Sequence, residues 1–400
     1  MSPVLFQAAT YLTFAAAASI LFSIALSQIL MALALAALLF SGAKLRLPPI
    51  WLPLGLFLTG TAISLALSPD PAAGLPQIRK FAVFLMLLLM YSAIRDTVTL
   101  RRLMLCWAGA ATLVALRALV QFQNKLAESR ALGQNFYDYY IAERITGFMS
   151  HWMTFGGQQM LALLMLGAFL FFAPKIRNYA LWLLCGAVLS AALLLGMTRS
   201  IWLGVGVGGI YLIWRWKRRL LLALPAVLAV GFFAAPSSVR ERSTSILKPR
   251  QDVDSNEFRF VLWRAGLRMV EAHPWFGLGP EHVKLQFEDY VAPDTPRPLP
   301  SGWYGHMHNI YLHYAAERGL PTMFFLLWLL AKVLWDFLGT IRKLPPGPSD
   351  EKFLLHGGVA VVLAIMVAGI FELNLGDSEV LTMFLVTVAA GYSAREAALA

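Results

Sequence analysis

Long apolar runs recur along this chain, and they constrain its fold more than any other feature. Each run is about as long as a helix that crosses a bilayer, roughly 20 residues. Only 14% of the 400 residues are charged, whereas about a quarter are charged in an ordinary soluble domain. The alternating pattern of a transmembrane β-barrel is absent, so helices must satisfy the backbone hydrogen bonds within the lipid. The sequence therefore predicts an all-α integral membrane protein.

The apolar runs predict about twelve membrane-spanning helices. They lie at approximately residues 8–24, 27–42, 50–68, 80–95, 99–121, 152–173, 179–196, 200–214, 220–235, 319–340, 353–371 and 379–396. The first two come from one apolar stretch, Ala8 to Phe40, which is too long for the apolar region of a cleaved signal peptide. We expect these two helices to meet near Ser27 and Gln28.

The basic residues of the short connections predict the orientation of the chain. With the amino terminus in the cytoplasm, the cytoplasmic connections carry Lys44, Arg46, Arg95, Arg101, Arg102, Lys175, Arg177, Arg215, Lys217, Arg218, Arg219, Arg342 and Lys343. Residues 1–235 then hold nine spans and a shorter outer loop at 122–151, residues 236–318 form a large outer loop, and residues 319–400 hold three more spans. Both termini are expected on the cytoplasmic side.

The formal net charge of +11 would ordinarily suggest a nucleic-acid partner. Here the cations cluster at helix ends and in the large outer loop, which includes Arg240, Arg242, Lys248, Arg250, Arg259, Arg264 and Arg268. Anionic lipid headgroups and phosphorylated substrates fit this distribution better. We therefore expect membrane lipids as partners and no nucleic acid.

An amphipathic helix is predicted inside the large outer loop, from Ser255 to Glu271. Asp254 can cap its first turn, and His273-Pro274 ends it. Its apolar positions recur at helical spacing, and they are Phe258, Val261, Leu262, Ala265 and Met269.

The segment from His308 to Thr322 is the most informative part of the sequence. It begins with His308-Asn309 and continues to Gly319, just before an apolar span. Two other segments accompany it: Thr198-Arg199-Ser200 at the start of a span, and Arg259-Phe260-Val261-Leu262-Trp263 with the later turn Pro274-Trp275-Phe276-Gly277-Leu278-Gly279. In these segments the chain resembles the O-antigen ligase and polymerase superfamily, with its His-Asn…Gly pattern, its arginine at the start of a span, its Arg-x-x-x-Trp helix and its Pro-x-x-Gly-x-Gly turn.

The resemblance implies a GT-C-type membrane glycosyltransferase in the bacterial inner membrane, with its active site on the periplasmic side. The superfamily moves a glycan from undecaprenyl pyrophosphate onto an acceptor hydroxyl. Within it we expect an O-antigen ligase, which transfers O-antigen to lipid A–core oligosaccharide with inversion at the anomeric carbon. The resemblance also implies that the enzyme is metal-independent and has no cofactor, because the lipid-linked glycan is itself the donor substrate.

The residue types of the three segments suit that reaction. Departure of the lipid pyrophosphate builds up negative charge, and arginine supplies planar, permanently charged donors for phosphate oxygens. We assign this role to Arg199 and Arg259. His308 is the candidate base for the acceptor hydroxyl, or the residue that orients it. Trp263 and Asn309 belong to the same motifs and are expected to help bind substrate.

Other residues at the predicted outer face are candidates for binding pyrophosphate or the phosphorylated sugars of the acceptor. They are Arg79, Lys80, Arg117, Arg144 and Asp377. For each of them, the role of an ordinary interfacial or solvated residue stays open.

Two groups of residues resemble metal sites, but the sequence favours other roles for both. His306, His308 and His313 could suggest zinc, but a zinc site needs a converging ligand set with supporting partners, and a distant carboxylate would have to complete it. We expect His306 and His313 to be structural. Asp252-Val253-Asp254 resembles the Asp-x-Asp of metal-dependent glycosyltransferases, but Asp254 already has the capping role. We predict no metal site.

Three alternative functions remain. A polymerase of the same superfamily would use another lipid-linked repeat unit as acceptor, and a protein O-oligosaccharyltransferase would use a protein. A transporter of lipid-linked glycans would line its pathway with cations. Transporters tend to place ionisable residues near the bilayer midplane in broken helices, whereas the cations of this chain cluster at helix ends and in the large outer loop.

Overall fold

The computed structural model describes residues 2–245 and 256–399, and these residues form helices, turns and no strands. Their α-helices are α1 (Pro3–Ser19), α2 (Ile24–Phe40), α3 (Trp51–Ala66), α4 (Pro71–Arg79), α5 (Leu85–Ala93), α6 (Thr97–Ala131), α7 (Phe136–Ala142), α8 (Trp152–Phe172), α9 (Tyr179–Leu195), α10 (Arg199–Lys217), α11 (Leu224–Ala234), α12 (Ser237–Thr244), α13 (Asn256–Ala272), α14 (His282–Gln286), α15 (Ile310–Ile341), α16 (Asp350–Ala368) and α17 (Ser378–Leu399). Short 3-10 helices occupy Lys80–Phe84, Arg218–Ala223, Phe287–Tyr290 and Asn374–Gly376.

The helices agree with the predicted membrane class. Within the described ranges, five helical segments are long and apolar enough to cross a membrane: Pro71–Ala93, Thr97–Ala131, Trp152–Phe172, Ile310–Ile341 and Asp350–Ala368. The apolar helices α2, α3 and α9 are shorter. Every predicted span coincides with a helix, so the all-α class is confirmed and fits an integral membrane protein. The count of twelve spans and the GT-C-type architecture stay predictions.

The first two helices meet earlier than predicted. The connection covers residues 20–23, and the Ser23 side chain caps α2 by accepting a hydrogen bond from a backbone amide in its first turn. The predicted junction near Ser27 and Gln28 is wrong, because Ser27 lies inside α2. Its hydroxyl donates to the carbonyl oxygen of Ala16 at 2.8 Å and so joins the two helices.

The helix α6 runs past its predicted end near residue 121 and stops at Ala131. Its last turns are too polar to be recognised as part of an apolar run. They are held instead by side-chain contacts with the following loop: Lys125 pairs with Glu143 at 2.8 Å, and Gln121 Nε2 donates to the carbonyl oxygen of Gly147 at 3.0 Å. The shorter outer loop is therefore partly helical, since α7 also lies within it.

The basic connections meet at one end of the helix bundle. Arg101 Nη1 lies 3.1 Å from Asp350 Oδ1 and donates to the carbonyl oxygen of Pro174, also at 3.1 Å. In another of the basic connections, Arg46 forms a salt bridge with Glu396. The orientation in which this end faces the cytoplasm stays a prediction.

The large outer loop has a small apolar core of its own. The predicted amphipathic helix is present as α13, and four residues of its stripe are buried: Phe258, Leu262, Ala265 and Met269. Val261 packs against them, and the cluster is completed by Leu278, Val283, Phe287, Met307 and Ala316. The core thus fixes α13 beside the first turns of α15. Asp254, the predicted cap of α13, lies outside the described residues.

The glycine-rich turn of the outer loop docks against a kink in α15. Gly319 interrupts the helix with φ 80° and ψ 163°. The amide of Gly279 donates to the carbonyl oxygen of Glu317 at 2.8 Å, and the amide of Leu278 donates to that of Ala316 at 2.9 Å. A Cβ atom on Gly319 would lie only 2.1 Å from the carbonyl oxygen of Trp275. Glycine is therefore required here both by the positive φ and by the close approach of the two backbones.

Candidate active site

A cavity of about 700 Å³ lies between the outer loop and the ends of several helices, and its lining includes Lys80, Arg144, His151, Arg199, Ser200, Arg242, Arg259, Glu281, His306, His308, His313, Glu317, Glu372, Asn374 and Asp377. These residues come from the end of α4, the starts of α8 and α10, the helix α13, the segment around α15 and the connection between α16 and α17. The cavity is therefore assembled from segments that are far apart in the sequence. It brings together the predicted residues Arg199, Arg259 and His308.

Glu372 links two of those three residues. Its Oε1 accepts a hydrogen bond from Arg259 Nη2 at 3.0 Å, and its Oε2 lies 3.4 Å from His308 Nδ1. Ser200 Oγ also approaches Oε1, at 3.4 Å. The carboxylate is nearly buried, with 7% of its side chain exposed. One buried anion thus holds a guanidinium from the outer loop and an imidazole from the start of α15.

The contact with Glu372 selects the tautomer of His308. A carboxylate can only accept hydrogen bonds, so His308 Nδ1 must carry the proton of that contact. The lone pair of a neutral ring then lies on Nε2, and among the described residues Nε2 has no hydrogen-bond partner although it is buried. A histidine in this state can take a proton through Nε2 while the carboxylate stabilises the resulting cation.

The backbone around His308 is held in a conformation that non-glycine residues rarely adopt. The φ angle of His308 is 45°, in the left-handed region. The amide of His308 donates to His306 Nδ1 at 3.0 Å, and the side chain of Asn309 caps α15 by accepting the amides of Tyr311 and Leu312. These bonds keep the strained residue in place, as is common at functional sites.

Arg199 approaches the cavity from the opposite side. It is the first residue of α10, and its Nη1 donates to Ser245 Oγ at 3.2 Å. Arg242 lies close by, because its Nε donates to the carbonyl oxygen of Met197 at 3.1 Å. Arg144 also lines the cavity, with its guanidinium 4.9 Å from the centre of the Trp152 ring. Several cations therefore surround the space next to His308.

The charges in the cavity influence one another. Burial alone would raise the pKa of Glu372, but the hydrogen bond with His308 and the charge of Arg259 lower it to about 2. Burial and the neighbouring His308 lower the pKa of His306 to about 3. Burial, together with the charge of Arg242, lowers the pKa of Arg144 to about 9. Glu372 is thus ionised and His306 neutral, and the crowded guanidinium groups would be stabilised by an added anion.

Lys80 and Asp377, two further predicted residues, also line this cavity. Lys80 Nζ donates to the carbonyl oxygen of Gly376 at 3.0 Å, and Asp377 Oδ2 accepts a hydrogen bond from Thr154 at 2.8 Å. Burial raises the pKa of Asp377. It is therefore a half-buried acid inside the site rather than a solvated loop residue.

Arg79 lies in a neighbouring cavity. This second cavity has a volume of about 360 Å³ and is lined mainly by apolar residues of α2 and of the segment after α4; its wall includes Gln28, Met31, Leu35, Val83 and Leu85. Lys80 lines both spaces. The two cavities are therefore adjacent.

Besides Arg79, the structure does not place three of the predicted substrate-binding residues on the wall of the main cavity. Arg117 Nε donates to the carbonyl oxygen of Gly147 at 3.0 Å, and its guanidinium stacks on Phe148. Trp263 Nε1 donates to the carbonyl oxygen of Met307 at 3.0 Å, and Asn309 caps α15. Trp263 and Asn309 thus hold the segment that carries His308 from its two sides.

Sequence reasoning missed several residues of the cavity. Glu372 belongs to none of the three motifs, and Arg242 was named only as one of several cations in the large outer loop. His306 and His313, expected to be structural, line the cavity as well, as do His151 and Glu317. One signal could have identified Glu372 and Glu317: an acidic residue at the edge of an apolar span needs a buried partner.

The described residues contain no group of three or more His, Cys, Asp and Glu side chains arranged to hold a metal ion. The Asp252-Val253-Asp254 segment lies outside those residues. The metal independence of the protein stays a prediction.

Comparison with known proteins agrees with these motifs. The model of the O-antigen ligase family matches residues 180–327, which include Arg199, Arg259 and His308 but end before Glu372 and Asp377. No curated protein matches the chain. The part of the chain from residue 180 to residue 327, which carries the three motifs, is therefore similar to the O-antigen ligase family.

Proposed function

We propose that the protein is an O-antigen ligase, which transfers O-antigen from undecaprenyl pyrophosphate to lipid A–core oligosaccharide at the periplasmic face of the inner membrane. One observation carries this proposal. Arg199, Arg259 and His308 line a common cavity, and Glu372 contacts both Arg259 and His308. The family match supports the reaction class, since the superfamily contains ligases and polymerases that use lipid-linked glycans.

The cations of the cavity would bind the pyrophosphate of the donor. Arg199 and Arg259 face the space from α10 and α13, and Arg144, Arg242 and Lys80 add positive charge around it. As the sugar–phosphate bond breaks, its electron pair passes to the phosphate oxygen. Donors already fixed around the developing charge stabilise it without reorganising. Arg259 is well prepared for this, because Glu372 fixes the orientation of its guanidinium.

His308 would act on the acceptor. The acceptor oxygen forms the new bond to the anomeric carbon, and its proton passes to Nε2 of His308. Glu372, which faces Nδ1, stabilises the imidazolium that results. Attack on the face opposite the leaving pyrophosphate inverts the anomeric configuration. No residue forms a covalent bond to the sugar in this scheme.

The adjacent apolar cavity would receive the isoprenoid chain of the donor. Its wall is mainly apolar, whereas Arg79 and Lys80 stand where it meets the charged site. A lipid-linked donor needs this combination, with hydrocarbon on one side and diphosphate on the other. The proposal therefore accounts for Arg79, which lies outside the main cavity.

Transfer by purified protein is the direct test. The protein would be mixed with undecaprenyl-pyrophosphate-linked O-antigen and lipid A–core oligosaccharide, with no nucleotide. Formation of O-antigen-bearing core is the expected result, and it excludes a function in transport alone. If the protein instead elongates one lipid-linked glycan with another, it is a polymerase, and the ligase proposal is wrong.

Lipopolysaccharide from a deletion strain provides the second test. Loss of a ligase leaves bare core, with polymer accumulating on the lipid carrier. Core that carries a single repeat unit would instead indicate loss of a polymerase. Glycosylated protein that disappears in the deletion strain, with normal lipopolysaccharide, would indicate a protein O-oligosaccharyltransferase.

A further inference from the structure

Another cavity, here called the α15–α17 cavity, lies at the end of the bundle opposite the candidate active site. It has a volume of about 320 Å³ and is lined by Trp335, Asp336, Leu338, Gly339, Thr340, Arg342, Lys343, Arg395 and Leu399. These residues belong to the last turns of α15, to the two positions that follow it and to the last turns of α17. Asp377 at the other end of α17 lines the active-site cavity. A helix of 22 residues is about 33 Å long, so the two cavities are separated by approximately the thickness of the hydrocarbon core.

The α15–α17 cavity is cationic. Arg342, Lys343 and Arg395 line it, and among the described residues none of the three forms a salt bridge. Arg395 Nε is buried without a hydrogen-bond partner in the described part of the chain. In the described part of the chain, none of these three cations is therefore paired with a carboxylate.

The acidic residues near the cavity already have partners. Asp336 Oδ2 lies 2.6 Å from Lys332 Nζ and accepts a hydrogen bond from Tyr392 at 2.9 Å. Glu396, next to Arg395 in the chain, is bound by Arg46 and Tyr91. Neither acid is available to neutralise Arg342, Lys343 and Arg395, so the cavity would bind an anion from outside.

The wall of the cavity is apolar and faces outward. Trp335 is 78% exposed and Leu399 is 55% exposed. Trp335, Gly339 and Arg342 recur at helical spacing, so they share a face of α15. An exposed tryptophan next to exposed arginine and lysine at the end of a membrane helix is typical of the interface between hydrocarbon and headgroups. This position would bring the cavity level with the phosphates of one leaflet.

We propose that this cavity binds the headgroup phosphate of an anionic phospholipid. Arg342, Lys343 and Arg395 would contact the phosphate, and Trp335 and Leu399 would lie against the upper part of the acyl chains. Since the bound headgroup touches the ends of both α15 and α17, it ties the two helices together. A soluble phosphate ion could use the cations but would leave the apolar wall exposed.

The test measures how lipids change the thermal stability of the full-length protein in detergent. Phosphatidylglycerol, phosphatidylcholine and inorganic phosphate would be titrated separately against the wild type and three variants. The first variant is Arg342→Gln/Lys343→Gln/Arg395→Gln. The control is Arg218→Gln/Arg219→Gln, which removes two exposed cations beyond α10 that do not line the cavity.

Phosphatidylglycerol should raise the midpoint temperature of the wild type and of the control, and phosphatidylcholine should raise it much less. A basic residue near an anionic headgroup contributes a factor of about five in affinity, so the triple variant should bind phosphatidylglycerol about 100-fold more weakly. The Arg342→Gln/Lys343→Gln double variant, which changes only exposed side chains, covers the case in which the triple variant fails to fold. It should bind about 25-fold more weakly.

Two outcomes would overturn the proposal. Equal stabilisation of the wild type and the double variant by phosphatidylglycerol would show that these cations do not hold the lipid. Equal stabilisation of the wild type by inorganic phosphate and by phosphatidylglycerol would show that the ligand is a free anion. The readout is binding, so its result does not depend on whether the protein is a ligase.

Discussion

Arg259 Nη2 lies 3.0 Å from Glu372 Oε1, which joins a helix of the large outer loop to the connection between α16 and α17. The two residues are 113 positions apart in the sequence. The same carboxylate contacts His308 through its other oxygen. Glu372 therefore couples the orientation of the proposed phosphate-binding arginine to that of the proposed base.

Replacement of Glu372 should impair transfer strongly, although Glu372 itself is not proposed to act on the substrate. Glu372→Gln keeps the shape of the side chain but removes the charge that orients Arg259 and stabilises protonated His308. We expect transfer by purified protein to fall about 100-fold or more, by analogy with other carboxylates that orient a catalytic histidine. Glu379→Gln is the matched control, because Glu379 begins the neighbouring helix but does not line the cavity. Activity of Glu372→Gln within twofold of the control would exclude this role.

Arginine cannot be replaced by lysine at the two proposed phosphate-binding positions. A lysine keeps the charge but loses the planar pair of donors that matches phosphate oxygens. Arg199→Lys and Arg259→Lys should each lose about 10-fold or more in transfer rate, and the alanine variants about 100-fold or more. Arg264→Lys is the control for α13, since Arg264 is half-exposed and pairs with Asp294. Full activity in both lysine variants would contradict the proposed clamp.

His308→Ala should separate binding from chemistry. The proposed base acts on the acceptor, whereas arginines bind the donor pyrophosphate. The transfer rate of the variant should therefore fall about 100-fold or more. Its binding of undecaprenyl pyrophosphate should be largely retained. Carrier binding and transfer would be measured on the same preparation. His273→Ala is the control, because His273 is exposed, does not line the cavity, and its side chain contacts Tyr290 in the outer loop. Equal loss of binding and transfer would indicate a structural role for His308.

The charge of Glu372 should make a pH-dependent contribution to stability. Its pKa is lowered in the folded protein to about 2, below the value of about 4.3 expected when unfolded. The unfolded state therefore takes up the proton first as the pH falls. The stabilisation is complete when the pH is above the pKa of Glu372 in the unfolded protein, and it is lost as the pH falls toward 2.

Thermal unfolding of the wild type and Glu372→Gln from pH 6 to pH 3 would measure this contribution. The wild type should have the higher midpoint temperature near pH 6, and the difference should shrink as the pH approaches 3. A difference that stays constant over this range would show that the ion pair with Arg259 does not contribute in this way.

Chelators should leave transfer unchanged. The proposed mechanism stabilises the leaving group with arginine side chains, and no step uses a metal ion. The transfer assay would be run with and without EDTA, after dialysis of the protein against chelator. Inhibition that is reversed by a divalent cation would support metal binding, and Asp252 and Asp254 would then be the first residues to replace.

The motifs of the sequence were sufficient to predict Arg199, Arg259 and His308 as members of one site. Each lies in a short pattern whose spacing is visible without a structure, and the cavity contains all three. The amphipathic stripe of α13 was also visible, because burial of one helix face imposes a period on the sequence. Membrane class and helical architecture followed from the length of the apolar runs.

Tertiary structure alone decided what surrounds those three residues. Glu372 belongs to no short pattern, and it is 64 positions from His308, so their contact depends on how α16 packs beside α15. The contacts of Trp263 and Asn309 also depend on the tertiary structure. The motifs predicted that these residues bind substrate, whereas in the fold they hold the segment that carries His308. The period of a buried helix face can be read from residues that are close in the sequence. Contacts between side chains on different helices depend instead on how whole helices pack against one another.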